Sequence, residues 1–229
     1  MALPKIDTPT FDLNVPSTGE KITFRPWLVK EEKILMLANE GGEYDDMVNA
    51  CKNVVHNCSY ETIDAGNLTM FDLQYLFLRC KEKSVAGKQD FVLSCGNCEA
   101  KVPYELDLKD IQLAGEIDDE RTVKVTDDII IKLKYPTVDD ALTLQNAKPV
   151  DYIKKSIEYV ASGDEVINVK DESEEAIDEF MDSLPVDIFT KMLNFFNDMP
   201  MMQHIVEFEC KECGHQNKVN ISGAEHFFG

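Results

Sequence analysis

Positive charge is scarce in this chain. Lys and Arg number 23 against 43 Asp and Glu, a formal net charge of −20 over 229 residues. Binding to nucleic acid needs concentrated Lys and Arg facing phosphates, so this balance argues against DNA or RNA as a partner, and against an anionic membrane surface. Long apolar runs are also missing: no stretch of about 18 apolar residues occurs, so no segment reads as a bilayer span. The opening Met1-Ala2-Leu3-Pro4-Lys5-Ile6-Asp7 lacks the apolar core of a secretory signal. A glycine-rich phosphate loop, a nucleophile elbow and an HExxH pair are absent, and no spaced pair of carboxylates stands out from a solvated acidic face. These absences lead us to expect a soluble, intracellularly made protein that is not an enzyme and takes no small-molecule substrate. The acidity itself has two readings: a surface that keeps the protein soluble, or one that meets a partner with a basic face.

What is present suffices for a core. Hydrophobic residues make up 44% of the chain, and the mean hydropathy is −0.26, consistent with one large domain or two lobes. Phe11, Leu13 and Val15 alternate with polar residues, Pro16-Ser17-Thr18-Gly19 supplies a turn, and Ile22 and Phe24 resume the alternation, which predicts a β-hairpin. Helical spacing follows over 29–39, 44–56 and 69–85, the last opened by the capping pair Thr69-x-x-Asp72. Short strands are expected at 91–93 and 102–104, and a second hairpin at 122–125 and 129–135. A short helix should start at Thr137-x-x-Asp140, and another should run over 149–160 and end at Gly163. Residues 164–187 hold ten acidic side chains and one Lys170, about half of the net charge. A helix over 174–184 fits there, with Ala176, Ile177, Phe180 and Met181 facing inward, and the last helix covers 186–196. Strands close the chain at 204–208 and 218–221.

Seven cysteines, four of them in two CxxC pairs, favour metal over disulfides in a chain without a secretory signal. The pairs are Cys95-Gly96-Asn97-Cys98 and Cys210-Lys211-Glu212-Cys213, each between β-like runs, with Gly96 and Gly214 providing turn flexibility. In a zinc knuckle a tight turn aims two thiolates at one metal, and two knuckles complete a closed tetrahedral site. Cys95, Cys98, Cys210 and Cys213 are therefore the expected ligands of one structural Zn2+, with no catalytic and no organic-cofactor site. A redox CxxC normally sits at a helix N-terminus, which the flanking strands disfavour; unconnected buried cysteines are the remaining alternative. His215 could donate to a zinc-bound sulfur, whereas His56, His204 and His226 are scattered. Cys51 and Cys80 read as core residues, and Cys58 as a free thiol just past a helix.

The fold class implied is α+β: an N-terminal β-hairpin plus helices, with a split zinc ribbon enclosing an inserted mixed α/β lobe. Its regions are 1–88, then 89–106 with 203–229 as the ribbon, and 107–202 as the acidic lobe. The 111 residues between the knuckles are looped out, which is entropically tolerable if the insertion is itself folded. The tail carries Phe227-Phe228, which either folds back on the protein or anchors a neighbouring subunit.

Three stretches carry a family resemblance: Ile22-Thr23-Phe24-Arg25-Pro26-Trp27 followed by Lys30-Glu31-Glu32-Lys33, Phe71-Asp72-Leu73-Gln74-Tyr75-Leu76-Phe77-Leu78-Arg79 with Lys83-Ser84-Val85, and Ile131-Lys132-Leu133-Lys134-Tyr135-Pro136. Over residues 20–136 the chain resembles the baseplate hub and central-spike assembly proteins of T4-type contractile-tailed phages. The resemblance implies a late structural or assembly protein made in the host cytoplasm, with other phage baseplate and hub proteins as partners and a possible place in the virion tail. It transfers no functional residue. A zinc-ribbon adaptor for a host or phage protein, for example in transcription, is the alternative.

Overall fold

A computed structural model describes residues 6–85, 87–144 and 147–223; His226 and the Phe227-Phe228 pair lie outside them. The described residues are α+β. They run β1 (Phe11–Asn14), β2 (Lys21–Phe24), α1 (Val29–Gly41), α2 (Tyr44–Cys58) and α3 (Met70–Ser84). Next come β3 (Lys88–Ser94), β4 (Lys101–Asp107), β5 (Gln112–Ala114), β6 (Thr122–Lys124), β7 (Ile129–Leu133), α4 (Val138–Thr143) and α5 (Pro149–Ser156). The chain continues through β8 (Ile157–Ser162), β9 (Glu165–Asn168), α6 (Glu174–Ser183), α7 (Val186–Asn197), β10 (Met201–Glu209) and β11 (Gln216–Ser222). Two units result, Met1–Ala114 with Met201–Gly229, and Gly115–Pro200. Among the described residues no helix is long and apolar enough to cross a membrane.

In the first unit, the predicted alternation pairs Phe11 with Phe24 and Leu13 with Ile22. Gly19, at φ 70°, closes the turn by donating its N–H to the Val15 carbonyl at 2.8 Å. Helix α3 starts as its capping pair implies: the Thr69 hydroxyl accepts the Asp72 N–H at 3.1 Å. The Asp72 carboxylate is fully buried because it also accepts from the Thr69 hydroxyl at 2.7 Å and from the Ser17 N–H at 2.9 Å, tying the hairpin turn to the helix.

Helix α1 is anchored by charge. Its one buried residue is Glu31, whose carboxylate accepts from the Arg25 guanidinium at 2.9 Å and from the Leu28 N–H at 2.9 Å. Burial raises the Glu31 carboxyl, but the bonds from Arg25, Leu28 and Lys30 together outweigh it and hold it below its ordinary range. Cys51 and Cys80 are buried as expected. Cys58 is a free thiol as expected, but it lies inside the helix as the last residue of α2 and is fully buried, with Arg25 Nη1 at 3.8 Å from its sulfur. The helix extends two residues further than its apolar spacing suggested, because this packing needs the Cys58 side chain inside.

Strands β3 and β4 form one hairpin, and β10 and β11 form another whose free side pairs with β5. Leu93, Leu106, Met202, Val206 and Ile221 from these hairpins meet Leu78 of α3 in one apolar cluster. The hairpins belong to separate sheets, so side chains rather than a shared ladder join them.

The second unit holds a four-stranded antiparallel sheet in the order β6-β7-β8-β9. Ile131, Leu133, Ile153 and Met192 are among its fully buried side chains, packed with residues of α5, α6 and α7. Helix α4 starts where expected, held by a reciprocal cap with Asp140 N–H to Thr137 Oγ1 at 3.1 Å and Thr137 N–H to the Asp140 carboxylate at 3.2 Å. The helix expected over 149–160 stops at Ser156, and Ile157–Ser162 is strand β8, paired with β7. Ile153, Ile157 and Val160 mimic helical spacing, yet all three enter the same cluster from a helix followed by a strand. Gly163, at φ 57°, therefore serves the β8–β9 turn and not a helix end. On α6, Met181 is buried and Ile177 and Phe180 partly so, but Ala176 is exposed.

Candidate metal centre

Each CxxC sits at the tip of a hairpin whose backbone closes identically. The Cys95 N–H donates to the Ala100 carbonyl at 2.9 Å and the Glu99 N–H to the Cys95 carbonyl at 3.0 Å. In the second hairpin, the Cys210 N–H donates to the His215 carbonyl at 2.9 Å and the Gly214 N–H to the Cys210 carbonyl at 2.8 Å. Both loops need a left-handed residue directly after the second cysteine, supplied by Gly214 at φ 70° and by Glu99 at φ 59°. Gly96 is thus not the turn residue it resembles in sequence. Its N–H instead donates to the Asn217 side-chain oxygen at 2.8 Å.

The two tips bring Cys95, Cys98, Cys210 and Cys213 together, with the four sulfurs within 4.8 Å of one another. Across the tips, Cys95 and Cys213 sulfurs are 3.7 Å apart, and Cys98 and Cys210 sulfurs 3.6 Å. A tetrahedron with metal–sulfur bonds of about 2.3 Å has edges of about 3.8 Å, so this spacing fits a four-thiolate metal site. The first cysteine of each pair is buried and the second exposed. All four are free thiols, and the cluster could hold a metal ion.

Backbone and amide N–H groups surround the sulfurs. Asn97 N–H lies 3.4 Å from the Cys95 sulfur, Asn217 Nδ2 3.6 Å from it, and Asn97 Nδ2 3.6 Å from the Cys213 sulfur. The Cys98 and Asn97 backbone N–H groups, with Asn217, lower Cys95 to about 6. For Cys98, the Ala100 N–H favours the thiolate, but Cys213, burial, Cys210 and Cys95 together outweigh it and push it up to about 12. The Asn97 amide and the His215 backbone lower Cys213. Four adjacent thiolates repel one another, and a cation at their centre removes that conflict.

The sequence missed Asn217. It is buried; its amide donates to the His215 carbonyl at 3.0 Å within the second knuckle, and its bonds with the Gly96 N–H and the Cys95 sulfur bridge that knuckle to the first. The available signal was a polar residue at an inward position of the outgoing strand. His215 contributes backbone only, since its ring is exposed and the bonds at this residue involve its carbonyl and N–H. His56 and His204 bond the carbonyls of Ile63 and Asp110 and stand apart from the cluster.

Comparison with known proteins adds one finding. A family model described as T4 bacteriophage base plate protein matches residues 8–229. No curated protein and no solved structure matches the chain.

Proposed function

The chain belongs to the T4 bacteriophage base plate protein family, and from that premise we propose that it is a non-enzymatic structural or assembly protein of the baseplate hub and central-spike region. The observation that carries the baseplate role is the extent of the family match, residues 8–229. Its partners on this reading are other baseplate and hub proteins, met first in the host cytoplasm during assembly.

Within that role, Cys95, Cys98, Cys210 and Cys213 hold one structural Zn2+. The support is the four-sulfur donor set, its spacing and the N–H groups around it. Four thiolates would leave no coordination position for water, which suits a structural ion rather than a catalytic one. The ion would fasten residues 89–106 to 203–229 as a split zinc ribbon, with β5 of the segment 107–202 paired to β10 and residues 115–200 forming the inserted acidic lobe.

Mass spectrometry of purified particles and of assembly intermediates tests the role. A structural component is present in both, and an assembly factor only in the intermediates. Absence from both overturns the baseplate reading.

A further inference from the structure

Strand β9 ends the four-stranded sheet, bonded to β8 on one side. An edge strand presents unpaired N–H and C=O groups, and natural edges are commonly blunted by Lys, Pro or a bulge. At four residues β9, Glu-Val-Ile-Asn, is short and carries one charge, Glu165, but no Lys or Pro; its pairing with β8 is regular, and all four residues are exposed. Successive side chains point to opposite faces. Ile167, 40% exposed, aligns with Val160 and Ile131 on the core face. Val166, 59% exposed, aligns with Ala161 and Ile130 on the other.

Beside Ile167 runs a groove of about 330 Å³, lined mainly by apolar side chains including Val160, Ile177 and Phe180. Glu172 stands at its margin, within the run 164–187 that carries ten acidic residues and one lysine. Lys154 is engaged with Asp178, and an adjoining cavity that shares Ile157, Val169 and Ile177 brings Lys134, Lys155 and Lys170 beside Asp140, Asp151 and Glu174. Two copies meeting edge to edge would oppose two acidic margins, which like-charge repulsion disfavours. A basic chain gains where a second copy loses.

We propose that β9 is a docking edge for an extended segment of a baseplate partner, apolar at alternate positions and flanked by Lys or Arg. The segment adds as a fifth strand, its backbone satisfies the open edge of β9, and its apolar side chains enter the groove beside Ile167. The basic flanks meet Glu165, Glu172 and the acids of α6. This inference rests on the baseplate reading and specifies the chemistry of one partner.

The test uses the full chain and three short synthetic peptides. One alternates valine and threonine between lysine flanks, one has glutamate flanks instead, and one keeps the lysines but replaces valine by serine. The lysine–valine peptide alone should bind, and Ile167→Asn and Glu172→Lys should each weaken it about tenfold. Both positions are exposed or at the groove margin, so unchanged thermal unfolding would show that the variants remain folded. Equal binding of the serine peptide, equal binding of the glutamate-flanked peptide, or no binding of the lysine–valine peptide overturns the proposal. So does self-association of the protein that Ile167→Asn abolishes, which would make the occupant a second copy. In infected cells, wild-type protein recruited to baseplate intermediates with Ile167→Asn recruited equally well would overturn the docking edge while leaving the baseplate role standing. Failure of wild-type protein to reach those intermediates would overturn the role itself.

Discussion

Residues 115–200 enclose an interior whose one buried polar residue, among those described, is Ser156. The unit of residues 1–114 with 201–229 buries Arg25, Glu31, Ser59, Asp72, Gln74 and Asn217 alongside its apolar side chains, as well as the Cys95 and Cys210 sulfurs. Apolar burial is nondirectional and nearly indifferent to pH and metal. Buried charges and thiols stabilise only while their partners are in place. The comparison therefore assigns conditional stability to the first unit and unconditional stability to the second.

The largest effect that could break this contrast is metal loss. On the proposed zinc reading, Cys210→Ser should release the ion and expose β3, β4, β10 and β11 to hydrogen exchange, while the amides of β7 and β8 stay protected. Structural zinc contributes on the order of 10 kcal/mol of apparent binding energy, so this change should exceed any single core truncation. Uniform loss of protection across both units would erase the distinction.

Next in size is the buried ion pair. Arg25→Met leaves Glu31 buried without its main partner and should cost about 3 kcal/mol by denaturant titration, the lower end for a broken buried pair, since Lys30 remains 3.2 Å from the carboxylate. The sign of the pH effect follows from the Glu31 carboxyl lying below its ordinary value of 4.5. A depressed acid binds fewer protons folded than unfolded, so its contribution is present above 4.5 and disappears as pH falls below it. Glu31→Gln should flatten that acid limb, and an unchanged limb would remove Glu31 from the account.

In the second unit, Met192→Ala opens a void at a fully buried site and should cost about 2 to 5 kcal/mol with no change in metal content. The smallest effect concerns α4, where Thr137→Ala removes the cap oxygen and should cost about 1 kcal/mol. A loss of metal in either variant would show that the two units do not stabilise independently.

The parts of this fold legible in the sequence are those fixed by near neighbours. Thr69-x-x-Asp72 and Thr137-x-x-Asp140 mark helix starts because capping acts within one turn. Phe11, Leu13, Ile22 and Phe24 mark a hairpin because a short turn sets its register. Long-range pairing was not legible. Ile157 and Val160 fit a helix as well as a strand until β7 and β9 claim them. The short β5 exists because Leu113 lies opposite Met202 in β10, far away in sequence. At the cysteine cluster the spacing names the four residues that meet, but not Glu99 at the left-handed position or Asn217 between the tips. Those roles depend on a closure that only the folded chain makes.

The most direct measurement is the metal content of the full-length protein, purified under reducing conditions without added chelator. The account predicts one zinc per chain, lost in Cys210→Ser. Folded protein containing no zinc would contradict it.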